Sequence, residues 1–271
     1  MTGSRRWGRM LLVIGLLGVA LAPSALAQPV EEATITVVHA VPGEGGFPAD
    51  IRLAGDIVIS SMAFEGIAGP TQVPAGAVTL EVFAAGADTA VDEPLLADTI
   101  QLEADANYTL VAQMIGDDPA ISLYANDVSS VPPGTGRFTV RQTSGEEMLT
   151  FALDGEPTVE SLAATAESTS EVPAGTYRLA VTSEDGSTLA EQDLVVAEGA
   201  VTIVYAVGSG ADQSFGLLSQ EIRVDQDPPV GVPTGSGGNR ASVSTAGWLV
   251  VPGMFVGVVL IRLGLARRRF A

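Results

Sequence analysis

The sequence predicts an all-β fold: two tandem sandwiches of the Ig-like, Greek-key kind, with an N-terminal signal peptide before them and a single C-terminal transmembrane helix after them. Three observations carry this. Val73-Pro74-Ala75-Gly76 returns as Val172-Pro173-Ala174-Gly175. Each copy leads into the same alternating strand, through Val78, Leu80 and Val82 in the first and Tyr177, Leu179 and Val181 in the second. From Thr34 onward apolar residues recur with period two, in short runs bounded by Gly, Pro, Asp and Asn, and no window holds a helical stripe.

Composition sets the limits. The chain has 271 residues and no cysteine. A cysteine-free exported domain rests on its apolar core, so each copy needs roughly 90 residues or more. Thiol catalysis, zinc–thiolate sites and iron–sulfur clusters are excluded. Lysine is also absent, which removes Schiff-base chemistry and lysine–asparagine cross-links. Residues 1–28 and 246–271 hold seven of the 13 arginines and no acid. The middle therefore sets six arginines against 32 acids, a net charge of −26. Such a surface repels nucleic acid, and it reads as a solubility feature.

Taken in order, Arg5, Arg6 and Arg9 precede a short apolar run, 10–22, that Pro23 breaks. Ala25 and Ala27 are the small residues a signal peptidase reads, with cleavage before Gln28. The run falls short of the about 20 residues a span needs, so an uncleaved anchor is the lesser reading. Residues 1–27 are thus the signal peptide and 30–128 the first sandwich. Its strands are expected at 34–40, 50–54, 57–63, 69–73, 77–84, 95–103, 107–115 and 120–124. In the Val-Pro-Ala-Gly turn, proline presets φ and glycine accepts the positive φ that can follow.

Residues 129–136, with Pro132-Pro133-Gly134, read as a linker between two independent domains, open to proteolysis. The second sandwich spans 137–222. Phe138-Thr139-Val140 aligns with Ile35-Thr36-Val37, Leu153-Asp154-Gly155 with Leu53-Ala54-Gly55, and Val201-Thr202-Ile203-Val204 with Tyr108-Thr109-Leu110-Val111. Residues 223–245 form a polar tether, 246–266 an apolar span and 267–271 a basic tail. Trp248 marks the outer interface. Arg262 snorkels near the inner one, and Arg267, Arg268 and Arg269 hold the tail in the cytoplasm.

Several segments in order resemble one family. They are Ile35-Thr36-Val37-Val38-His39-Ala40-Val41-Pro42, Ala49-Asp50-Ile51-Arg52-Leu53-Ala54-Gly55, Val-Pro-Ala-Gly, and Asn107-Tyr108-Thr109-Leu110-Val111-Ala112. The family is the prokaryotic extracellular β-sandwich known as domain of unknown function 4397, here in two copies over roughly 34–222. The resemblance implies fold and exposure and brings no activity. Copy two has Gln142-Thr143 where His39-Ala40 stands in copy one. Val232-Pro233-Thr234-Gly235 is similar to a sortase signal but lacks the residue between proline and threonine. Membrane retention is therefore expected, with cell-wall attachment as the alternative.

His39 is the only histidine. It has the chemistry of a base or metal ligand, but a histidine at a strand end more often bonds a loop backbone. A triad of His39, Asp50 and Ser60 or Ser61 lacks the Gly-x-Ser-x-Gly context. Asp117-Asp118, Asp92-Glu93 and Asp225-x-Asp227 are oxygen-rich but follow no calcium-loop pattern. No catalytic residue, cofactor or metal is assigned. The expected function is non-catalytic: a single-pass plasma-membrane protein displaying both domains outside the cell in a structural or adhesive role. The alternative is an extracellular module for a peptide, glycan or metal ion. Its ligand would meet the long loops at the far tip of the first domain, at His39, Glu44, Phe47, Asp88 and Asp92, with the second domain as a spacer. Partners are then membrane lipid and an unidentified extracellular ligand or protein, not nucleic acid.

Overall fold

The computed structural model describes residues 31–42, 48–116 and 118–226, together with the backbone of Val259 and Leu260. The expected signal peptide with Ala25, Ala27 and Gln28, the loop residues Glu44 and Phe47, and Trp248, Arg262, Arg267, Arg268 and Arg269 lie outside the described residues. No helix long and apolar enough to cross a membrane is among the described residues.

The fold is all-β, in four sheets. The first eight strands are β1 (Glu32–His39), β2 (Ala49–Leu53), β3 (Asp56–Met62), β4 (Ile67–Pro74), β5 (Gly76–Ala84), β6 (Leu96–Leu102), β7 (Asn107–Ile115) and β8 (Asp118–Ala125). One sheet runs β4-β1-β7-β8 and the other β3-β2-β5-β6. The next eight repeat the series: β9 (Thr135–Gln142), β10 (Met148–Leu153), β11 (Glu156–Ala163), β12 (Glu167–Pro173), β13 (Gly175–Ser183), β14 (Thr188–Val196), β15 (Ala200–Val207) and β16 (Gly216–Arg223). Their sheets run β12-β9-β15-β16 and β11-β10-β13-β14, the same orders strand for strand. In each half the first and seventh strands pair in parallel, β1 with β7 and β9 with β15.

Period-two patterning builds one core between the two sheets of each half. Ile35, Val37, Leu53, Leu80, Ile100 and Leu110 meet in the first. Phe138, Val140, Phe151, Leu179, Val181 and Val204 meet in the second. The β2–β3 hairpin turns at Ala54-Gly55 and its counterpart at Asp154-Gly155, all four with positive φ. That is the signature of a type I′ turn, whose twist matches the flanking strands. In the Val-Pro-Ala-Gly copies the chain passes from one sheet to the other. Gly76 has φ 105° as the turn reading expects, but Gly175 has no positive φ. There the Tyr177 ring lies beside Gly175, and its hydroxyl donates to Pro173 O at 2.6 Å.

Two expectations are corrected. The alignment of Val201 with Tyr108 is one residue out. Tyr108 pairs with Ile35, and Thr202 pairs with Phe138. Since Ile35 matches Phe138, the partner of Tyr108 is Thr202, an offset of 94 in place of 93. A slip of one flips the face. Val201 indeed faces away from its own core, whereas Tyr108 faces into it.

The larger correction concerns independence. All described residues belong to one compact unit. Val38, Ala40, Val111 and Tyr124 of the first half pack against Val201, Ile203, Tyr205 and Val207 of the second. The sheets β4-β1-β7-β8 and β12-β9-β15-β16 thus bury their outer faces on each other, so the halves are not beads in series. The expected linker is a fixed strap. Val131 is fully buried, and its N–H donates to Asp225 O at 3.1 Å. Gly134 N donates to Glu198 Oε1, and the Arg137 guanidinium bonds Asp127 O and Ser129 O.

Within the expected span, Val259 and Leu260 form a two-residue strand, β17 (Val259–Leu260), antiparallel to β8. The unpaired backbone of an edge strand accepts such an extended Val-Leu pair, and the rest of the expected span lies outside the described residues.

Candidate functional site

The long loops of the first half do gather at one end. Ala85 N donates to Pro48 O at 2.8 Å, which joins 41–49 to 85–94, and His39 N donates to Gly66 O. The tight connections meet at the other end, where Ala75 N and Asp105 N donate to Glu31 O and Glu32 O. Of the candidate tip residues, the described ones are occupied locally. Asp92 Oδ2 accepts Asp88 N at 2.8 Å, and Asp88 Oδ1 accepts Ala90 N at 3.1 Å. Both carboxylates brace their own loop.

His39 is buried at the end of β1, and its Nδ1 accepts Val41 N at 3.3 Å. Its equivalent, Gln142, has its Oε1 accept Ser144 N at 3.1 Å. Imidazole and amide thus perform the same service, each bonding the backbone two residues on. His39→Ala is therefore expected to cost about 1–2 kcal/mol, the usual penalty for a stranded donor. His39→Gln should recover most of that in urea unfolding. A glutamine variant no better than alanine would refute the equivalence.

Asp50 has its carboxylate accept Ser61 N at 2.7 Å and Gly86 N at 2.9 Å. Its counterpart Thr150 has its hydroxyl oxygen accept Ser161 N. These are backbone staples at a bulged strand, not the members of a relay. Among the described residues no cluster of three or more His, Cys, Asp or Glu is placed to hold a metal ion. A shallow cleft between β6 and β8, lined by Leu80, Leu96, Ala97, Asp98, Ile100, Ile121 and Leu123, has about 10 Å³ of room. That is the space of a single water molecule.

The densest chemistry lies between the halves. Arg141, on β9, is 1% exposed. Its Nε donates to Glu167 Oε2 at 3.0 Å, Nη1 to Tyr205 Oη at 3.1 Å and Nη2 to Asn126 Oδ1 at 2.8 Å. The guanidinium lies 4.4 Å from the Tyr124 ring centroid and 5.6 Å from that of Tyr205. A buried cation is costly unless paired and bonded. Here a carboxylate, three hydrogen bonds and two ring faces compensate it. Tyr205 Oη donates to Gln220 Oε1 at 2.6 Å, and Gln220 Nε2 donates to Thr36 Oγ1 at 3.2 Å. Tyr124 Oη donates to Thr165 O at 3.3 Å. Asn126, Tyr124 and Thr36 come from the first half and the rest from the second, so the network ties the halves as the apolar contacts do.

Burial pushes the Tyr124 hydroxyl from 10 up to about 12, against the pull of the Arg141 charge, and pushes Tyr205 up for the same reasons. Both hold their protons more tightly folded than unfolded. For Tyr124 that contribution to stability is intact below about pH 10 and is lost as pH rises through about 12, and the Tyr205 contribution is likewise lost on the alkaline side. Urea midpoints measured from neutral pH upward should stay level on this account and then fall over that range. A decline complete before the ordinary tyrosine range would assign alkaline unfolding to other groups.

Sequence reasoning missed Arg141 and Tyr205. Two signals stood in the sequence. Residues 200–207, Ala-Val-Thr-Ile-Val-Tyr-Ala-Val, are almost continuously apolar, as a strand buried on both faces must be. Arg137, Thr139 and Arg141 alternate with core residues on a strand whose neighbour has no solvent face.

Residues 33–149 match the model of a family described as domain of unknown function (DUF4397). The match runs from the second residue of β1 through β9 to the first two residues of β10. A search of curated proteins gives no match.

Proposed function

We propose that the chain is a non-catalytic, membrane-anchored cell-surface protein that displays two copies of one β-sandwich domain as a single rigid body. The observation that carries this reading is the use made of the chemically capable side chains. His39, Asp50, Asp88, Asp92, Arg141 and Tyr205 are committed to backbone staples or to the seam between the halves. Such a seam suits a display or adhesive role, since it fixes the geometry of two domains without a ligand. The identical strand orders support two copies of the domain, although the family match extends only to residue 149. The basic, apolar, small-residue order of 1–27 supports export, and the apolar run 246–266 before Arg267, Arg268 and Arg269 supports anchoring with the tail in the cytoplasm.

Removing residues 246–271 is expected to release the protein as a soluble secreted species. Recovery of the truncated chain in an alkali-washed membrane pellet would refute the anchor.

One observation favours a second reading, a ligand-binding module for a peptide, glycan or metal ion. The connections 41–49, 64–68 and 85–94 converge at one end of the first half, and loops on a rigid scaffold are where binding concentrates. A footprint from hydrogen exchange against a glycan, peptide or calcium panel would establish it if it fell on these loops.

A further inference from the structure

On the side away from β4, β8 is flanked among the described residues only by the two-residue β17, and the β8 sequence, Asp118–Ala125, carries no Lys or Arg to discourage pairing. Ile121 and Leu123 are only partly buried, because they border the cleft toward Leu96 and Ile100 on β6. Val259 and Leu260 pair along that side with Leu123 and Ser122.

We propose that the β8 edge and its cleft form a docking site for an extended apolar strand, and that the occupant is this chain's own run around Val259–Leu260 when that run is outside a bilayer. Antiparallel addition satisfies the unpaired N–H and C=O groups of β8. The 32 residues between Gln226 and Val259 span up to about 3.3 Å each, ample reach for the first half. In lipid the same residues satisfy their backbone groups as a helix. Strand and span therefore exclude each other, and insertion vacates the edge. Only this switch rests on the anchoring reading; the docking stands apart from it.

The chain has no cysteine, so S122C/L260C creates one possible disulfide. Directly opposed antiparallel residues have Cα atoms about 4.5–5.5 Å apart, within disulfide reach. E81C/A97C, opposed on β5 and β6, is the positive control. In monomeric, lipid-free full-length chain under mild oxidation, S122C/L260C is expected to close intramolecularly as fully as the control. In vesicles of phosphatidylethanolamine and phosphatidylglycerol it should fall to the background of the single-cysteine variants. Background closure without lipid, beside a closed control, would overturn the docking and leave the anchor standing. A disulfide found only between two chains would also overturn it, giving the edge to a second copy. Full closure in vesicles would uphold the docking and overturn the switch.

Discussion

Arg141→Ala is expected to lower stability by about 3–5 kcal/mol, the loss typical of breaking a buried, bonded ion pair. The variant takes the Arg141 donors from Glu167 Oε2, Tyr205 Oη and Asn126 Oδ1, the last keeping only the 3.4 Å bond from Thr109 Oγ1, and it empties the space between two tyrosine rings. Arg141→Lys keeps the charge but not the planar fork that meets three partners at once, so it should fall between wild type and alanine. Because Asn126 and Tyr124 belong to the first half, the loss should appear in the unfolding of the whole body, as a lower urea midpoint with an unchanged slope. A loss under about 1 kcal/mol would mean that the site behaves like an exposed ion pair and that the network does not hold the seam.

The sequence conveys the fold through turns and alternation. Leu53-Ala54-Gly55 and Leu153-Asp154-Gly155 announce a hairpin in each half, and the Val-Pro-Ala-Gly copies place the crossing between sheets. These are local signals, set by φ and by neighbours one or two residues away. The seam is not local. Thr36 meets Gln220 across 184 positions, and Arg141 is recognisable as a seam residue only once β9 and β15 are side by side with both faces covered. The Pro132-Pro133-Gly134 stretch misled for the same reason. Its composition suits a free linker, yet Val131 beside it is anchored by Asp225, some ninety positions on. Reading 200–207 as doubly buried would have led to the seam. The loop end was legible because loop lengths alone fix the parity of an antiparallel series.

Neither half is expected to hold its native state alone, whereas residues 31–226 should unfold in one cooperative step. Cutting the chain near 128 exposes Val201, Ile203, Tyr205 and Val207 on the second half, and Val38, Ala40, Val111 and Tyr124 on the first. Burial of a large apolar side chain contributes about 1.5–3 kcal/mol. Four such side chains match the whole net stability of a typical domain, about 5–15 kcal/mol. The second half also keeps Arg141 without Asn126 and without the Tyr124 ring. Residues 129–226 expressed alone are therefore expected to aggregate or to bind a hydrophobic dye, with loss of fixed tertiary packing. Limited proteolysis of the intact chain should spare 131–136, since the Val131 side chain is buried and its N–H bonded. The product would be one resistant core spanning both halves, not two. A monomeric second half melting cooperatively at the temperature of the intact chain would show that the seam is only a contact between self-sufficient domains.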